Sequence, residues 1–199
     1  VSTLTLAIGR PTIIDRIVSR RLALDVVLVI AGTALTAGAA QLVIPLQPVP
    51  FTMQTFAVLL VGTAIGPVRG VLSMLLYAVV GAFGLPVFAG ASSGNVFALP
   101  TGGYIVGFVL ATALVGWLAQ LKWDRKFLKM IVTFAAGSLV IYAVGAPWLA
   151  ASLGMPLGQA IAVGVVPFLI GDALKALLAA GLLPLAWLGV SKLGKGTDD

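Results

Sequence analysis

The cations of this chain bracket its apolar runs. Arg10, Arg16, Arg20, Arg21, Arg69, Lys122, Arg125, Lys126, Lys129, Lys192 and Lys195 make up eleven of the twelve Lys and Arg residues, and they stand beside hydrophobic stretches rather than within them. The stretches between them have the length of a membrane crossing, about 20 mostly apolar residues. Charged residues are 9% of the 199-residue chain and hydrophobic ones 60%, whereas soluble domains carry roughly 25% charged residues. So few charges cannot cover a water-soluble protein of this size. The pattern restricts the chain to a fold dissolved in lipid.

We predict an all-α membrane protein with six transmembrane helices in one domain over 22–190. A polar N-terminal arm (1–21) precedes it and a short tail (191–199) follows. The expected spans are 22–44, 51–65, 71–84, 104–121, 128–148 and 167–190. Pro45-Leu46-Gln47-Pro48-Val49-Pro50 is too proline-rich for helix, and Pro50 pre-sets a helix start at Phe51. Gly66-Pro67-Val68-Arg69-Gly70 reads as a tight turn, and Pro184 is expected to bend the last span. The segment 149–166 has room for a short helix. Arg20-Arg21, an apolar run and Gly38-Ala39-Ala40 imitate a signal peptide, but the apolar run continues, so no cleavage is expected. Six crossings place both termini, and all eleven bracketing cations, on one side. The positive-inside rule makes that side cytoplasmic. Trp117, Trp123 and Trp187 then fall near the inner interface and Trp148 near the outer one.

The chain has no Cys, His or Glu. Disulfides, thiolate nucleophiles, imidazole bases and the usual zinc or iron ligands are therefore excluded, and no metal site or cofactor is expected. Of the six Asp, Asp15, Asp25, Asp124, Asp198 and Asp199 fall at flanks or in the tail, so a lipid-modifying enzyme would lack a second catalytic group. The net charge of +6 is explained by membrane orientation rather than by nucleic acid. No internal repeat argues for an inverted-repeat transporter, no polar ring runs through the spans as in a channel, and no nucleotide-binding motif occurs.

The exception is Lys175, inside the last apolar stretch and three residues after Asp172. Ionisable groups within a membrane segment mark a functional site by default. The two lie on one helix face, with Asp172 roughly 8 Å from the expected helix start. Gln41, Gln47, Gln54, Asn95, Gln159, Thr52, Thr55, Ser92, Ser93, Thr101 and Tyr104 gather toward the same end. They imply an outward-facing cavity, walled by Phe51, Phe88, Phe97 and Tyr104 and covered by the long 85–103 loop. The pair could serve packing alone, although buried ion pairs seldom repay their desolvation. The functional reading is that Lys175 holds a ligand carboxylate while Asp172 accepts from ligand N–H groups. Gln54 either bonds a neighbouring helix or meets the ligand, and Tyr77 is expected to be packing. The small residues of the first span, Gly32, Ala34, Thr36, Gly38 and Ala40, permit close helix approach, either internally or to a docking partner.

Five motifs in order carry a resemblance: Pro48-Val49-Pro50-Phe51-Thr52-Met53-Gln54-Thr55, Gly66-Pro67-Val68-Arg69-Gly70, Leu75-Leu76-Tyr77, Gly84-Leu85-Pro86-Val87-Phe88-Ala89-Gly90 and Pro100-Thr101-Gly102-Gly103-Tyr104. Over about 22–190 the chain resembles the BioY family, the biotin-specific S components of energy-coupling factor (ECF) transporters. The resemblance implies a six-helix S-component fold in a prokaryotic plasma membrane that captures biotin at the outer face. It implies as partners a transmembrane coupling protein and two ATPase subunits. It implies biotin contact by Asp172 and Lys175, with Phe51, Gln54, Phe88, Asn95, Thr101 and Tyr104 lining the pocket. S components dock through Ala-x-x-x-Ala in the first helix. The nearest copies here are Ala34-x-x-x-Gly38 and Gly32-x-x-x-Thr36-x-x-x-Ala40, which makes Gly32, Ala34, Thr36 and Gly38 the docking candidates. An S component for another vitamin is the alternative, ahead of a lipid-modifying enzyme.

Overall fold

The computed structural model describes residues 5–17 and 19–193. Its elements are α1 (Leu22–Gln41), β1 (Val43–Ile44), β2 (Phe51–Thr52), α2 (Gln54–Ile65), α3 (Pro67–Ala82), α4 (Gly102–Gln120), α5 (Phe127–Leu153), α6 (Leu157–Gly164) and α7 (Leu169–Leu193). Short 3-10 turns fill several connections. Residues 1–4 and most of the expected tail, Lys195 included, lie outside the described residues.

The fold departs from the sequence reading in several places, and Pro67-Val68-Arg69-Gly70, expected in a tight turn, already forms the first turn of α3. Phe51 does not begin a helix. It pairs with Ile44, and Thr52 with Val43, in a two-stranded antiparallel hairpin. Residues before proline favour extended backbone, and the prolines at 45, 48 and 50 hold the chain extended until Met53, whose N–H donates to the Leu42 carbonyl. At the other side of the bundle, Gly102 and Gly103 do not close the long loop but open α4. A Cβ at Gly102 would collide with the Val96 carbonyl, and one at Gly103 with the Trp148 ring. The helix can start there because these residues have no side chain. The fifth helix runs to Leu153 through Pro147, and α7 runs through Pro184 to Leu193.

The central helix is α4, packed against α5, α2 and α3, while α1 leans on α3 and α7 on α5. Val58, Leu59, Met74, Val115, Met130, Ile141 and Leu149 form the interior. The outward faces are apolar as well: Leu139 is 69% exposed and Ile170 78%, with Leu174, Leu177, Leu182 and Leu185 beside them in α7. A helix that is hydrophobic all round is not made for water. Among the described residues, four stretches are long and apolar enough to cross a membrane: Leu22–Gln41, Gly102–Gln120, Phe127–Leu153 and Leu157–Val190, the last joining α6 and α7. This is a membrane protein. The second and third helices are shorter.

Antiparallel helices give the bundle two unlike ends. One end collects the connections 42–53, 83–101 and 154–168, and none of them contains a charged residue. The opposite end holds the N-terminal arm, the α2–α3 turn and the α4–α5 turn. Charges read from sequence as mere flanks are buried there. The Arg69 guanidinium donates Nε to Asp25 Oδ1 at 2.8 Å and Nη1 to Asp15 Oδ1 at 2.7 Å. Asp25 also accepts from the Leu6 N–H and the Thr5 hydroxyl, and Asp15 from Thr12 and Arg20. The network therefore straps the arm across this end. Burial pushes the Asp15 carboxyl up, but the Thr12 N–H, Arg69 and Arg20 outweigh it and hold it below the ordinary carboxylate value.

Trp187, expected in an interfacial belt, is buried at the charged end instead. Its indole N–H donates to Asp124, and the Arg125 guanidinium stacks 3.8 Å over its ring. Burial raises the Asp124 carboxyl against the opposing effects of Trp187 and Arg125. Trp148 lies toward the uncharged end and donates to the Leu99 carbonyl, while Trp117 is exposed.

Candidate ligand-binding site

Asp172 falls in the first turn of α7. The chain reaches that helix through α6 and a proline-containing 3-10 turn, Val166–Phe168, which turns the new helix inward at the uncharged end. Lys175, one turn on, points the same way. Asp172 is 9% and Lys175 6% exposed.

Three acceptors surround the Lys175 ammonium: Asp172 Oδ1 at 2.9 Å, Thr55 Oγ1 at 2.7 Å and the Thr52 carbonyl at 2.9 Å. The Phe51 ring covers it, centroid 4.4 Å away. Asp172 Oδ1 also accepts from the Thr55 hydroxyl at 3.0 Å, and its Oδ2 accepts from the Tyr142 hydroxyl of α5. Helices α2, α5 and α7 and strand β2 thus meet at one ion pair. The hairpin explains part of this, because an extended Thr52 leaves its carbonyl free for the ammonium.

Beside the pair, Gln54 donates from Nε2 to the Tyr77 hydroxyl at 2.7 Å and accepts from the Thr52 hydroxyl at 3.0 Å. Tyr77 in turn donates to the Val87 carbonyl at 3.1 Å, which ties the long loop to the helices. Tyr77, expected to be packing, therefore positions Gln54. The Tyr104 hydroxyl donates to the Gly164 carbonyl at 2.9 Å, fixing α6 against α4.

Asp172, Lys175, Thr52, Thr55, Gln54, Tyr104 and Tyr142 line a cavity of about 190 Å³. Its wall is apolar and aromatic: Phe88, Ile105, Phe108 and Phe168, with Phe51 stacked on Phe168 at 5.9 Å between centroids. Its polar groups are concentrated where Asp172, Lys175, Gln54 and Tyr142 meet. Such a pocket suits a small, largely apolar molecule with one polar head.

Of the eight residues expected at the site, Asp172, Lys175, Gln54, Phe51, Phe88, Thr101 and Tyr104 line the cavity. Asn95 does not. It is exposed, and its carboxamide oxygen accepts from the Phe97 N–H, capping the 3-10 turn Val96–Ala98. A short polar side chain before a turn bonds its own backbone rather than reaching inward. Phe97, expected in the wall, is likewise exposed and lies against Trp148. Tyr142 and Phe168 were not singled out in the sequence. Tyr142 had a usable signal: a hydroxyl in the middle of an apolar helix requires a buried partner, and Asp172 is the acidic group at that depth.

The four candidate docking residues of α1 divide. Gly32 and Thr36 face α3, where a Cβ on Gly32 would lie 2.6 Å from Ser73 Oγ and Thr36 contacts Met74. Ala34 and Gly38 are exposed, and nothing lies within 4 Å of a Cβ placed on Gly38.

The family model described as BioY matches residues 13–192. A protein of Pyrococcus horikoshii named probable biotin transporter BioY is 43% identical over 78% of this chain and 91% of its own length. The biotin transporter BioY of Thermotoga maritima is 40% identical over 74% of this chain and 86% of its own. Among solved structures, the S-component for biotin from an ECF-type ABC transporter superposes with a TM-score of 0.73 at 27% identity, covering 81% of this chain and 89% of that one. By the extent of these matches, the chain belongs to the BioY family.

Proposed function

We propose that this chain is the biotin-capturing S component of an ECF-type transporter, a binding and transport protein rather than an enzyme. The observation that carries the reading is the cavity at the uncharged end, where an ion pair, a carboxamide and a tyrosine hydroxyl meet inside aromatic walls. Biotin matches it chemically. Its ureido group offers two N–H donors and a carbonyl, and its fused ring sulfur prefers apolar contact. Asp172, Lys175, Gln54 and Tyr142 would face the bicyclic head, and Phe51, Phe88, Phe168 and Tyr104 its sides. The named activities of the relatives support the same ligand. Titration calorimetry of the purified protein tests it: biotin should bind, while thiamine and riboflavin should not compete. Absence of biotin binding would end the reading.

The membrane arrangement belongs to the same proposal. Six crossings in a prokaryotic plasma membrane, with both termini cytoplasmic, place the cavity toward the outside. They are supported by the cations at one end and their absence from the connections at the other. Single cysteines at Ser92 and Lys126 should label from opposite faces, and labelling from one face would break the topology. The chain carries no nucleotide-binding motif, so ATP would be hydrolysed by partners: two ATPases working through a transmembrane coupling protein. Ala34 and Gly38 are the exposed part of the α1 docking set. Gly38→Trp should abolish co-purification with the coupling protein and leave biotin binding intact. Retained co-purification would move the docking surface elsewhere.

A further inference from the structure

We propose that the ligand's carboxylate stays at the mouth of the cavity, unpaired by the protein, so that this chain accepts biotin whose carboxyl is masked as an amide, biotinyl-lysine included. The inference rests on the biotin reading and concerns which part of the molecule the protein measures.

Lys175 was the residue expected to hold the carboxylate. Its ammonium has three N–H donors, and the protein supplies three acceptors: Asp172, Thr55 and the Thr52 carbonyl. Its charge is matched by Asp172 at 2.9 Å. The base of the cavity is therefore neutral and its cation saturated. A second carboxylate placed there would share the ammonium with Asp172, and the two anions would repel beside side chains only 9% and 6% exposed.

The hydrogen-bonding capacity that remains suits a neutral head. Gln54 has one amide hydrogen and one lone-pair direction beyond its bonds to Tyr77 and Thr52. Asp172 Oδ2 accepts only from Tyr142 and can take one more donor. A group with both N–H and C=O satisfies these positions, and a carboxylate satisfies only the donor.

The mouth offers an anion no countercharge either. Its rim is formed by neutral residues, among them Pro50, Ala89, exposed Ser92 and Thr101. The connections at this end, 42–53, 83–101 and 154–168, contain no Lys or Arg. Arg69 and the cations of the arm and of the α4–α5 turn belong to the opposite end. With the head bound to the polar base, the ligand's chain runs toward this rim, and its carboxylate keeps its water.

Calorimetry of the full chain in detergent, with biotin, biotin primary amide and biotinyl-lysine, tests the inference. Both amides should bind within about fivefold of biotin, the scale of an exposed charge. A loss of about a hundredfold or more for either amide, the scale of a desolvated charge contact, would overturn it while biotin binding stood. Failure of biotin itself to bind would instead remove the functional reading, and this inference with it.

Discussion

Lys175→Met separates the ion pair's contribution from simple packing. Methionine keeps the apolar stem but removes the ammonium, and with it bonds of 2.9, 2.7 and 2.9 Å to Asp172, Thr55 and the Thr52 carbonyl. What remains is a carboxylate 9% exposed, held by two hydroxyls and no cation. Truncating one member of a buried, hydrogen-bonded charge pair costs roughly 2–5 kcal/mol. The ammonium sets the position of Asp172, which receives the ligand's N–H groups, so biotin affinity should fall by the same order, about thirtyfold to several thousandfold. The assay is biotin titration of the purified protein, with a thermal melt to confirm that the variant is folded. Asp172→Asn in the same background should recover part of the loss, because the uncompensated charge disappears, and the double-mutant cycle should therefore show strong coupling. A folded Lys175→Met protein that binds biotin within about twofold of the parent would refute the reasoning. So would losses from the two substitutions that simply add.

Tyr142→Phe removes the only donor to Asp172 Oδ2 among the described residues. A hydrogen bond to a charged group contributes about 1.5–3 kcal/mol, so biotin affinity should fall by tenfold or somewhat more; unchanged affinity would show that the hydroxyl does not organise the carboxylate. Arg69→Met leaves Asp25 without a cation at the charged end and Asp15 with Arg20 alone. It should destabilise the fold by about 3–5 kcal/mol in thermal unfolding, and a melt within experimental error of the parent would contradict the strap. Asp15 has a folded-state carboxyl held below its ordinary value. Its contribution is present above the unfolded-state pKa of about 3.9 and is lost as pH falls through the lowered folded value. Asp15→Asn should therefore flatten the acid limb of the stability curve, and an unaltered limb would rule this out.

The apolar spans and the Asp172–Lys175 pair were legible because each rests on a local rule: segment length in the first case, the cost of a charge in lipid in the second. Their companions were less so. Tyr142 meets Asp172 across 30 positions of sequence, and no local period shows that α5 and α7 present those faces to each other. The start of α2 was missed because proline can open a helix or hold an extended strand, and the choice fell to pairing with Val43 and Ile44. Asp15, Asp25 and Arg69 read as orienting charges one by one. Only the return of the arm beneath the α2–α3 turn makes them a network. Asn95 stood in a motif next to pocket residues, yet local capping claimed its side chain.

The brevity of α2 has a consequence for depth. Its 12 residues extend only about 18 Å, while the hydrocarbon layer is about 30 Å thick. In the proposed six-crossing arrangement, the rest of that height at its N-terminal side would fall to the β1–β2 hairpin, whose backbone groups pair with each other, with Leu42 and with Lys175, as non-helical chain below the headgroups requires. The floor of the pocket would then lie level with acyl chains rather than with phosphates. Lipid chain length would then become a property of the binding site: thicker leaflets would press oil against the hairpin's flank, and thinner ones would bring water down toward Asp172.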